Sequence, residues 1–321
     1  MAQQITVTIR RKEAQTTGHV LMIEPVAFAF NRQTSGSNYF QRETVSAQPK
    51  ALKEFRTMVA KLRSNGVNVL VINDSLLPHT PDSIFPHHAV SFHAGGRAYL
   101  YPMCAANRRQ EADRQLLNAV KKAGFVLKEI YDMRQLADGR HFLEGMGSMV
   151  LDRGNGIAYA CRSERTNETW FRQMCKRFKY EAVVFNAYHT VGWKRLPIYH
   201  TSVMMTVAET FVVICLDAVS DDKQRQLLLD KFDKTNKTVI GISEKQLHQF
   251  AGNMRQVRTD KGEKRLVMSS GAYHSLTDQQ IERIEAHCPI IHTDIATIEE
   301  NGGSSVGCMM AEIFLPRRGR A

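Results

Sequence analysis

Short apolar strands alternate with amphipathic helices along the chain, and this alternation limits the fold more than any other feature of the sequence. His19–Pro25, an apolar run that stops at a proline, predicts a buried strand. A helix with one apolar face opens at Pro49, and residues 67–74, VNVLVIND, predict the next strand. The same order recurs in five helix-bearing segments, about 60 residues apart, without a linker rich in Pro, Gly or Ser. The sequence therefore predicts a repetitive α/β domain.

Length and composition are those of a globular chain. With 321 residues, 43% of them apolar, the chain is long enough to bury a sizeable core. We expect a single domain over residues 1–321, with residues 1–18 and 317–321 at its periphery. The six cysteines are scattered without a CxxC pair, which argues against a zinc knuckle or a disulfide framework. No apolar run has the length of a signal peptide or a membrane span, so we expect a soluble, cytoplasmic protein with reduced thiols.

The net charge of +11 raises the question of nucleic acid, because a basic surface attracts phosphate. The basic clusters at residues 10–12, 176–179 and 317–320 are short and lack the interleaved aromatic residues of a stacking platform. A solvated basic surface explains them, so nucleic acid is not an expected partner. No cofactor is expected either, since the sequence has no GxGxxG, P-loop or HExxH pattern. The sequence leaves the oligomeric state open, a homodimer included.

One cysteine lies in a setting that suits a nucleophile. Asn301–Pro316, NGGSSVGCMMAEIFLP, joins a loop of small residues to an apolar run, and Cys308 lies at their junction. The apolar run, Met309–Leu315, predicts a short buried strand or helix that holds the loop rigid. Most free cysteines are small buried core residues, so spacing alone leaves the catalytic and the structural interpretation open.

Other ionisable residues lie near the ends of predicted strands. Asp82 lies on a turn stiffened by Pro81, where a carboxylate caps backbone amides or binds a ligand. Glu144 leaves an apolar strand beside Gly145, which predicts either an ion pair or a raised pKa. His200 opens an apolar segment, either as a hydrogen-bonded core residue or as an acid/base group.

Three histidines close together, His87, His88 and His93, suggest a metal site. Adjacent histidines in an extended chain point to opposite faces, and no third ligand is specified. We therefore predict no metal site here.

Eight short motifs, in order, resemble those of a known superfamily. They are NRQT, TPDSIFP, LYPM with NRR, LEGMGSMVLDR, SERTN, YHTSVMM, FAGNM and GGSSVGCMMAEIF. From about residue 20 to residue 316 the chain resembles the guanidine-modifying superfamily. It is most similar to the arginine deiminase-related branch that includes citrulline-utilisation hydrolases, and dimethylarginine dimethylaminohydrolase is a related branch.

The resemblance implies a fold and a catalytic set. The fold would be a five-bladed α/β propeller, or pentein, built from ββαβ units, with the active site at the mouth of its central channel. Cys308 would be the nucleophile, His200 the general acid/base and Glu144 the carboxylate beside the substrate nitrogens. A guanidinium or urea carbon is a poor electrophile, and a thiolate is the strongest nucleophile that side chains offer.

The resemblance also implies residues that bind the substrate. Asp82 would bind the guanidinium or ureido nitrogens, and Arg108 and Arg165 would hold the carboxylate of an amino-acid substrate, as arginine does bidentately. Asn31 is a further candidate for the lining of the pocket. Arg109 adjoins Arg108 and is an alternative to it.

Two departures from the expected pattern leave the substrate open. The branch is expected to have two asparagines and an aromatic residue where this chain has His87, His88 and Ala89. The branch is also expected to have a longer, often basic residue at the position that Gly307 occupies in this chain. We expect a C–N hydrolase, with citrulline to ornithine favoured and arginine or a methylarginine to citrulline next. An amidinotransferase and a non-catalytic propeller that binds nucleic acid are the alternatives.

Overall fold

The computed structural model describes residues 13–136 and 138–319, and within them the chain forms seventeen β-strands. The strands are β1 (His19–Glu24), β2 (Asn68–Asn73), β3 (Val90–His93), β4 (Arg97–Leu100), β5 (Glu129–Asp132), β6 (Val150–Asp152), β7 (Ile157–Cys161), β8 (Glu181–Phe185), β9 (Tyr188–Val191), β10 (Lys194–Pro197), β11 (Met205–Val207), β12 (Phe211–Ile214), β13 (Thr238–Gly241), β14 (Arg255–Arg258), β15 (Lys264–Ser269), β16 (Ile290–Thr293) and β17 (Ala311–Glu312).

Eleven α-helices lie between these strands in the same described ranges. They are α1 (Ala47–Ser64), α2 (Arg114–Lys122), α3 (Gly145–Ser148), α4 (Glu168–Phe178), α5 (Thr201–Met204), α6 (Asp222–Lys234), α7 (Glu244–Leu247), α8 (Ser270–Ser275), α9 (Asp278–Glu285), α10 (Ala296–Gly302) and α11 (Val306–Met309). Short 3₁₀ helices include Pro86–His88, directly before β3. None of these helices combines the length and the apolar character that crossing a membrane requires.

Five three-stranded sheets share one pattern of pairing. Their strand orders are β17-β1-β2, β3-β4-β5, β6-β7-β8, β11-β12-β13 and β14-β15-β16. In each sheet the middle strand pairs antiparallel with the first and parallel with the third. Parallel neighbours need a long crossover, and helices α1, α2, α4, α6 and the pair α8 and α9 lie in these five connections. The predicted alternation of strands and helices is confirmed as a mixed α/β fold.

The first sheet joins two distant parts of the chain. Strand β17 pairs antiparallel with β1, with Val20 opposite Glu312 and Leu21 opposite Ala311. The antiparallel partner of β1 therefore comes from near residue 311, whereas in the other four sheets it directly precedes the middle strand. Strands β9 and β10 form a separate antiparallel hairpin.

Helix α1 shows how the sequence pattern places the core. The apolar side chains of Ala51, Phe55, Met58 and Leu62 recur every three or four residues, and all four are buried. They pack against strands β1 and β2 and against α10. Burying a side chain of the size of Phe55 contributes about 1.5–3 kcal/mol, so this face alone fixes the helix on the sheet.

Part of the N-terminal segment is not peripheral, in contrast to the sequence-based expectation for residues 1–18. Gln15 is buried and its amide donates to the carbonyl oxygens of Leu151 and Val207, each at 2.9 Å. Its side-chain oxygen accepts from the backbone N–H of Arg153 at 2.7 Å. Residues 1–12 lie outside the described residues, as do residues 320 and 321. A glutamine that spans β6 and β11 joins two neighbouring sheets, which a periodicity analysis does not detect.

Replacing Gln15 should weaken the fold because four backbone groups, those of Leu151, Val207, Arg153 and Gly154, would lose a partner. Each unsatisfied buried group costs about 1–3 kcal/mol, so Gln15→Ala is expected to lower the free energy of unfolding by about 2–4 kcal/mol in urea titrations. The matched control is Gln110→Ala at an exposed position, which should change it by less than about 0.5 kcal/mol. Equal effects for the two variants would contradict the bridging role of Gln15.

Candidate active site

The candidate site residues lie on or directly beside five short turns, and each turn precedes the first strand of a three-stranded sheet. The turns are the 3₁₀ helix Pro86–His88 before β3, α3 before β6, α5 before β11, residues 248–252 before β14, and α11 before β17. Helix α3 contacts both α5 and the 3₁₀ helix, and α11 contacts the 3₁₀ helix as well. The repeated topology therefore brings residues from distant parts of the sequence into one buried cluster.

Glu144 and His200 form the central pair of this cluster. Glu144 Oε2 lies 2.7 Å from His200 Nε2, and Glu144 Oε1 accepts from the backbone N–H of Cys104 at 2.8 Å. Both side chains are fully buried. Burial would raise the pKa of Glu144, but the charge of Arg165 and the bond from His200 outweigh it and hold that pKa below its ordinary value. For His200 burial is the larger effect, and it lowers the pKa to about 4 although Glu144 favours the charged form.

The state of His200 follows from these two effects. At neutral pH the ring is neutral, and its Nε2–H donates to the carboxylate of Glu144. Its Nδ1 then carries a lone pair, and this atom is buried without a hydrogen-bond partner among the residues that the structure describes. An unpaired basic nitrogen in a dry site is suited to accept a proton.

Glycine is required where α3 meets the 3₁₀ helix. Gly145 has φ +46°, and a Cβ there would lie 2.6 Å from the carbonyl oxygens of His87 and His88. At Gly147 a Cβ would lie 2.6 Å from a ring carbon of His88 and 2.8 Å from His200 Nδ1. The sequence predicts that Glu144 leaves a strand; in the structure Glu144 instead precedes this tight turn, and β6 begins only at Val150.

Cys308 lies on α11, and its side chain is completely buried. The amide nitrogen of Asn253 donates to Cys308 Sγ at 3.1 Å, and the hydroxyl of Ser202 lies 3.7 Å from the same sulfur. Gly302 ends α10 and Gly303 caps it with φ +59°, so part of the predicted loop is helical. These contacts hold the thiol in a fixed orientation.

His87 and His88 lie side by side, not on opposite faces as predicted for an extended chain. The 3₁₀ turn that begins at Pro86 brings their ring centres within 4.5 Å. The ring of His88 also lies 4.5 Å from that of His200. A ring nitrogen of each histidine and Cys308 Sγ lie within 4.8 Å of one another. His93, in contrast, lies on β3 and bonds to Ser91 and Arg153.

This trio has the spacing of three metal ligands, but its surroundings favour another role. Nδ1 of His87 lies 3.0 Å from Arg255, and Nδ1 of His88 lies 3.1 Å from Arg108. A histidine that binds a metal normally donates its second N–H to an acceptor, whereas a guanidinium group can only donate. The two arginines therefore disfavour a metal at His87, His88 and Cys308.

Asp82 lies on a buried turn with one oxygen paired. Its Oδ2 accepts from Asn31 at 2.8 Å and from Thr34 at 3.3 Å, while its Oδ1 has no partner in the described ranges. Burial raises the pKa of Asp82, and the nearby charge of Arg108 opposes that rise. Asn31 thus contacts Asp82 and leaves its second oxygen free for a ligand N–H.

The two arginines predicted to hold a substrate carboxylate are already paired. Arg108 makes two bonds to Glu111, at 2.8 and 2.9 Å, and a third to His88. Arg165 donates to the carbonyl oxygen of Thr34 at 2.8 Å and to the hydroxyl of Ser37. In this enclosed state both guanidinium groups hold protein groups, so a substrate carboxylate would have to displace them.

Residues 25–46, between β1 and α1, close the cluster from one side. Asn38 donates to the carbonyl oxygens of Gly302 and Gly303, and Gln41 donates to that of Asn301. Because the thiol, His200 and Glu144 are fully buried, a substrate reaches them only if this covering segment or its neighbours shift.

One family model covers most of the chain. The model of a family described as N,N-dimethylarginine dimethylhydrolase, eukaryotic, matches residues 24–315. The chain belongs to this family. A search of curated protein sequences finds no significant match.

Solved structures of the guanidine-modifying superfamily share the fold. Apo ArgZ, an arginine dihydrolase from the ornithine–ammonia cycle in cyanobacteria, gives a TM-score of 0.70 at 15% identity, over 94% of this chain and 41% of that one. This chain thus spans about two-fifths of that protein's length. The substrate-bound N-terminal domain of ArgZ gives 0.70 at 15% identity, over 93% and 98% of the two chains. A dimethylarginine dimethylaminohydrolase variant, as an adduct with S-methyl-L-thiocitrulline, gives 0.62 at 16% identity over 92% and 99%.

Sequence reasoning missed several residues of this dimethylarginine dimethylhydrolase-family site. Asn253 and Ser202 contact the thiol, and they lie in the motifs FAGNM and YHTSVMM, where only His200 was assigned a role. Glu111 pairs with Arg108 three residues earlier, a spacing that could have indicated the ion pair. No spacing in the sequence could have indicated the contact between Arg255 and His87, because Arg255 lies on β14, in a distant part of the chain.

Five buried histidines predict how stability depends on pH. Burial lowers the pKa of His87, His88, His93, His189 and His200, whereas histidines of the unfolded chain take up protons near pH 6.5. Below that pH the unfolded state binds more protons, so the free energy of unfolding should fall as the pH drops from 7 towards 5. Each histidine contributes up to about 1.4 kcal/mol per pH unit, which urea titrations would measure. His93→Asn should reduce the slope of the free energy of unfolding against pH by the contribution of one histidine. A free energy of unfolding that stays constant between pH 7 and 5 would contradict the neutral state of these rings.

Proposed function

We propose that this chain is a cysteine-dependent hydrolase that breaks a C–N bond of a guanidino or ureido amino acid. The observation that carries the proposal is the buried Glu144–His200 pair, whose free Nδ1 lies in the same enclosed cluster as the thiol of Cys308. His88 links the two, since its ring contacts His200 and one of its nitrogens lies within 4.8 Å of Cys308 Sγ. Membership of the dimethylarginine dimethylhydrolase family supports this chemistry.

In the first step the sulfur of Cys308 attacks the central carbon of the substrate. The thiol proton passes to His200 Nδ1, and the charged ring that forms is stabilised by Glu144 at 2.7 Å. His200 then gives this proton to the departing nitrogen while the C–N bond breaks. The product of this step is an S-linked thiouronium or thiocarbamate, together with a free amine.

In the second step water releases the enzyme. His200 Nδ1 takes a proton from water, the oxygen adds to the S-linked carbon, and the C–S bond breaks. The sulfur leaves as a thiolate and takes the proton back from His200, which restores the resting state. The enclosed site admits only solvent that enters with or after the substrate, because the covering segment closes it.

The substrate nitrogens would bind to Asp82. Its free Oδ1 accepts a substrate N–H, and Asn31 fixes its other oxygen. Arg108 and Arg165 lie beside the carboxylates of Asp82 and Glu144, and we assign them a role in keeping those groups charged. A substrate carboxylate would bind them by exchange with Glu111 or with Ser37. Citrulline is favoured by the motif resemblance, with arginine or a methylarginine next.

The same proposal includes the architecture. The five sheets with one pairing pattern, and the pairing of β17 with β1, support a five-bladed α/β propeller that forms one catalytic domain. The five turns that carry the site would then surround the mouth of the central channel.

Loss of the thiol should stop turnover without unfolding the protein. Cys308→Ala is expected to lower kcat by ~10³-fold or more, because no other group can form the S-linked intermediate, while its melting temperature stays close to that of the parent. Substrates for the test are citrulline, arginine, methylated arginines and agmatine, with products read by mass spectrometry. A matched control is Cys175→Ala, a buried cysteine of α4 that should retain activity.

The outcomes of this test separate the candidate mechanisms. A mass increase on Cys308 during turnover would support the covalent route, and full activity of Cys308→Ala would overturn it. Transfer of the amidino or carbamoyl group to an added amine, at the expense of hydrolysis, would identify a transferase.

A further inference from the structure

Two buried ring nitrogens of the cluster that contains the thiol lack a partner within the described part of the chain. Nε2 of His87 and Nε2 of His88 are both inaccessible to solvent, and neither has a hydrogen-bond partner among the residues described. Buried polar groups are nearly always paired, because an unsatisfied donor in a dry site is costly. Two such groups on adjacent residues of this cluster are therefore suited to bind a ligand atom.

The neighbouring arginines determine which atom each ring presents. Arg255 lies 3.0 Å from Nδ1 of His87, and Arg108 lies 3.1 Å from Nδ1 of His88. Guanidinium groups only donate hydrogen bonds, so each Nδ1 must accept one. Both rings are held neutral, because burial lowers the pKa of each. The proton of each neutral ring is therefore on Nε2, and both Nε2 atoms are donors.

Three further unpaired buried atoms of the cluster accept hydrogen bonds: Asp82 Oδ1, His200 Nδ1 and the side-chain oxygen of Asn253, whose amide nitrogen donates to Cys308. Nε of Arg255, the arginine beside His87, is a further unpaired donor, and the hydroxyl of Ser304 is unpaired as well. The cluster therefore offers unpaired donors at His87, His88 and Arg255 and unpaired acceptors at Asp82, His200 and Asn253. A ligand that satisfies both kinds of group must present at least one acceptor and several N–H groups.

A ureido group has this composition and a guanidinium group does not. The ureido group carries one carbonyl oxygen and N–H groups on both nitrogens, whereas a guanidinium group carries only N–H donors. A guanidinium group bound beside Cys308 would set its N–H groups against those of His87 and His88. Arg108 and Arg255, directly behind the two rings, also disfavour a cation at this position.

We infer that His87 and His88 are a pair of N–H donors that bind the oxygen of a neutral ureido substrate and select it over a guanidinium compound. The inference rests on the proposed function and names the substrate class of that site. When Cys308 attacks the ureido carbon, negative charge develops on this oxygen, and two donors placed for it stabilise the transition state. The two histidines are thus catalytic residues of the reaction, in the sense that they contact the reacting group.

Asparagine variants and a third histidine supply a matched test. His87→Asn and His88→Asn keep an acceptor for the arginine near the former Nδ1 and remove the distal N–H. His93→Asn is the control, because Nδ1 of His93 also faces a guanidinium group, that of Arg153 at 3.2 Å, but its Nε2 is already paired with Ser91 at 2.7 Å. Steady-state kcat/KM is measured for L-citrulline and L-arginine with each full-length variant.

The parent enzyme should prefer citrulline. The ratio of kcat/KM for citrulline to kcat/KM for arginine should fall roughly 100-fold in His87→Asn or His88→Asn, which is the usual effect of losing one such donor. His93→Asn should leave the ratio unchanged. A parent that prefers arginine, or a ratio unaffected by both site variants, would overturn the inference while leaving the hydrolase proposal intact. No turnover of either substrate and no adduct on Cys308 would overturn both.

A binding measurement covers the case in which the asparagine variants do not fold. In Cys308→Ser, which cannot form the S-linked intermediate, addition of citrulline should shift the Nε2–H signals of His87 and His88 in nitrogen-15 spectra, and those of His93 should not move. Arginine at the same concentration should leave the two signals in place. Equal shifts with the two ligands would rule out the selectivity.

Discussion

The buried carboxylate of Glu144 is the charge on which the arrangement of the site depends. A carboxylate removed from water is stable only when its oxygens are paired, and the chain meets this need with the backbone N–H of Cys104, the ring of His200 and the charge of Arg165. Arg165 is buried in turn, and it is satisfied by Thr34 and Ser37 of the covering segment. One buried charge thus fixes the histidine, the arginine and the segment that encloses them.

A second set of buried charges supports the opposite wall. Arg108 is shared between Glu111 and His88, so the ion pair that keeps this arginine charged also sets the orientation of the histidine ring. Because Arg255 does the same for His87 from β14, whereas Arg108 lies in the 3₁₀ helix Ala106–Gln110, the two rings are held by groups from distant parts of the chain. Their orientation is a property of the assembled fold, since no local contact within Pro86–His88 would produce it.

Much of the architecture could be predicted from the sequence because apolar periodicity and turn residues act locally. The strand at His19–Glu24 and the helix that packs Phe55 and Leu62 follow directly from such patterns. The pairing of β17 with β1 does not, because a two-residue strand has no periodicity and its partner lies almost 300 residues away. Gln15 was likewise assigned to the periphery, although its amide joins two sheets.

The sequence likewise indicated some residues of the candidate site and not others. Motif resemblance selected Cys308, His200, Glu144 and Asp82, and the structure brings all four into one buried region, although their chemical roles stay proposals. Resemblance could not show that Arg108 and Arg165 are already paired, because their partners depend on how the turns meet. The motif resemblance also could not predict that the rings of His87 and His88 lie side by side. The backbone after Phe85 can be extended or 3₁₀, and contacts with α3 and α11 decide between the two.

The pairing of β17 has a consequence for the order in which the protein forms during synthesis. Strand β1 is made near the start of translation, but its antiparallel partner, Ala311–Glu312, leaves the ribosome almost 300 residues later. Until then one edge of β1 has unpaired backbone groups, which other chains could pair with. The turn that carries Cys308 ends two residues before β17, so the thiol takes its final position in the same late event. A nascent chain therefore holds the histidines and carboxylates of the candidate site before it holds Cys308, and the candidate site is complete only when the first sheet closes.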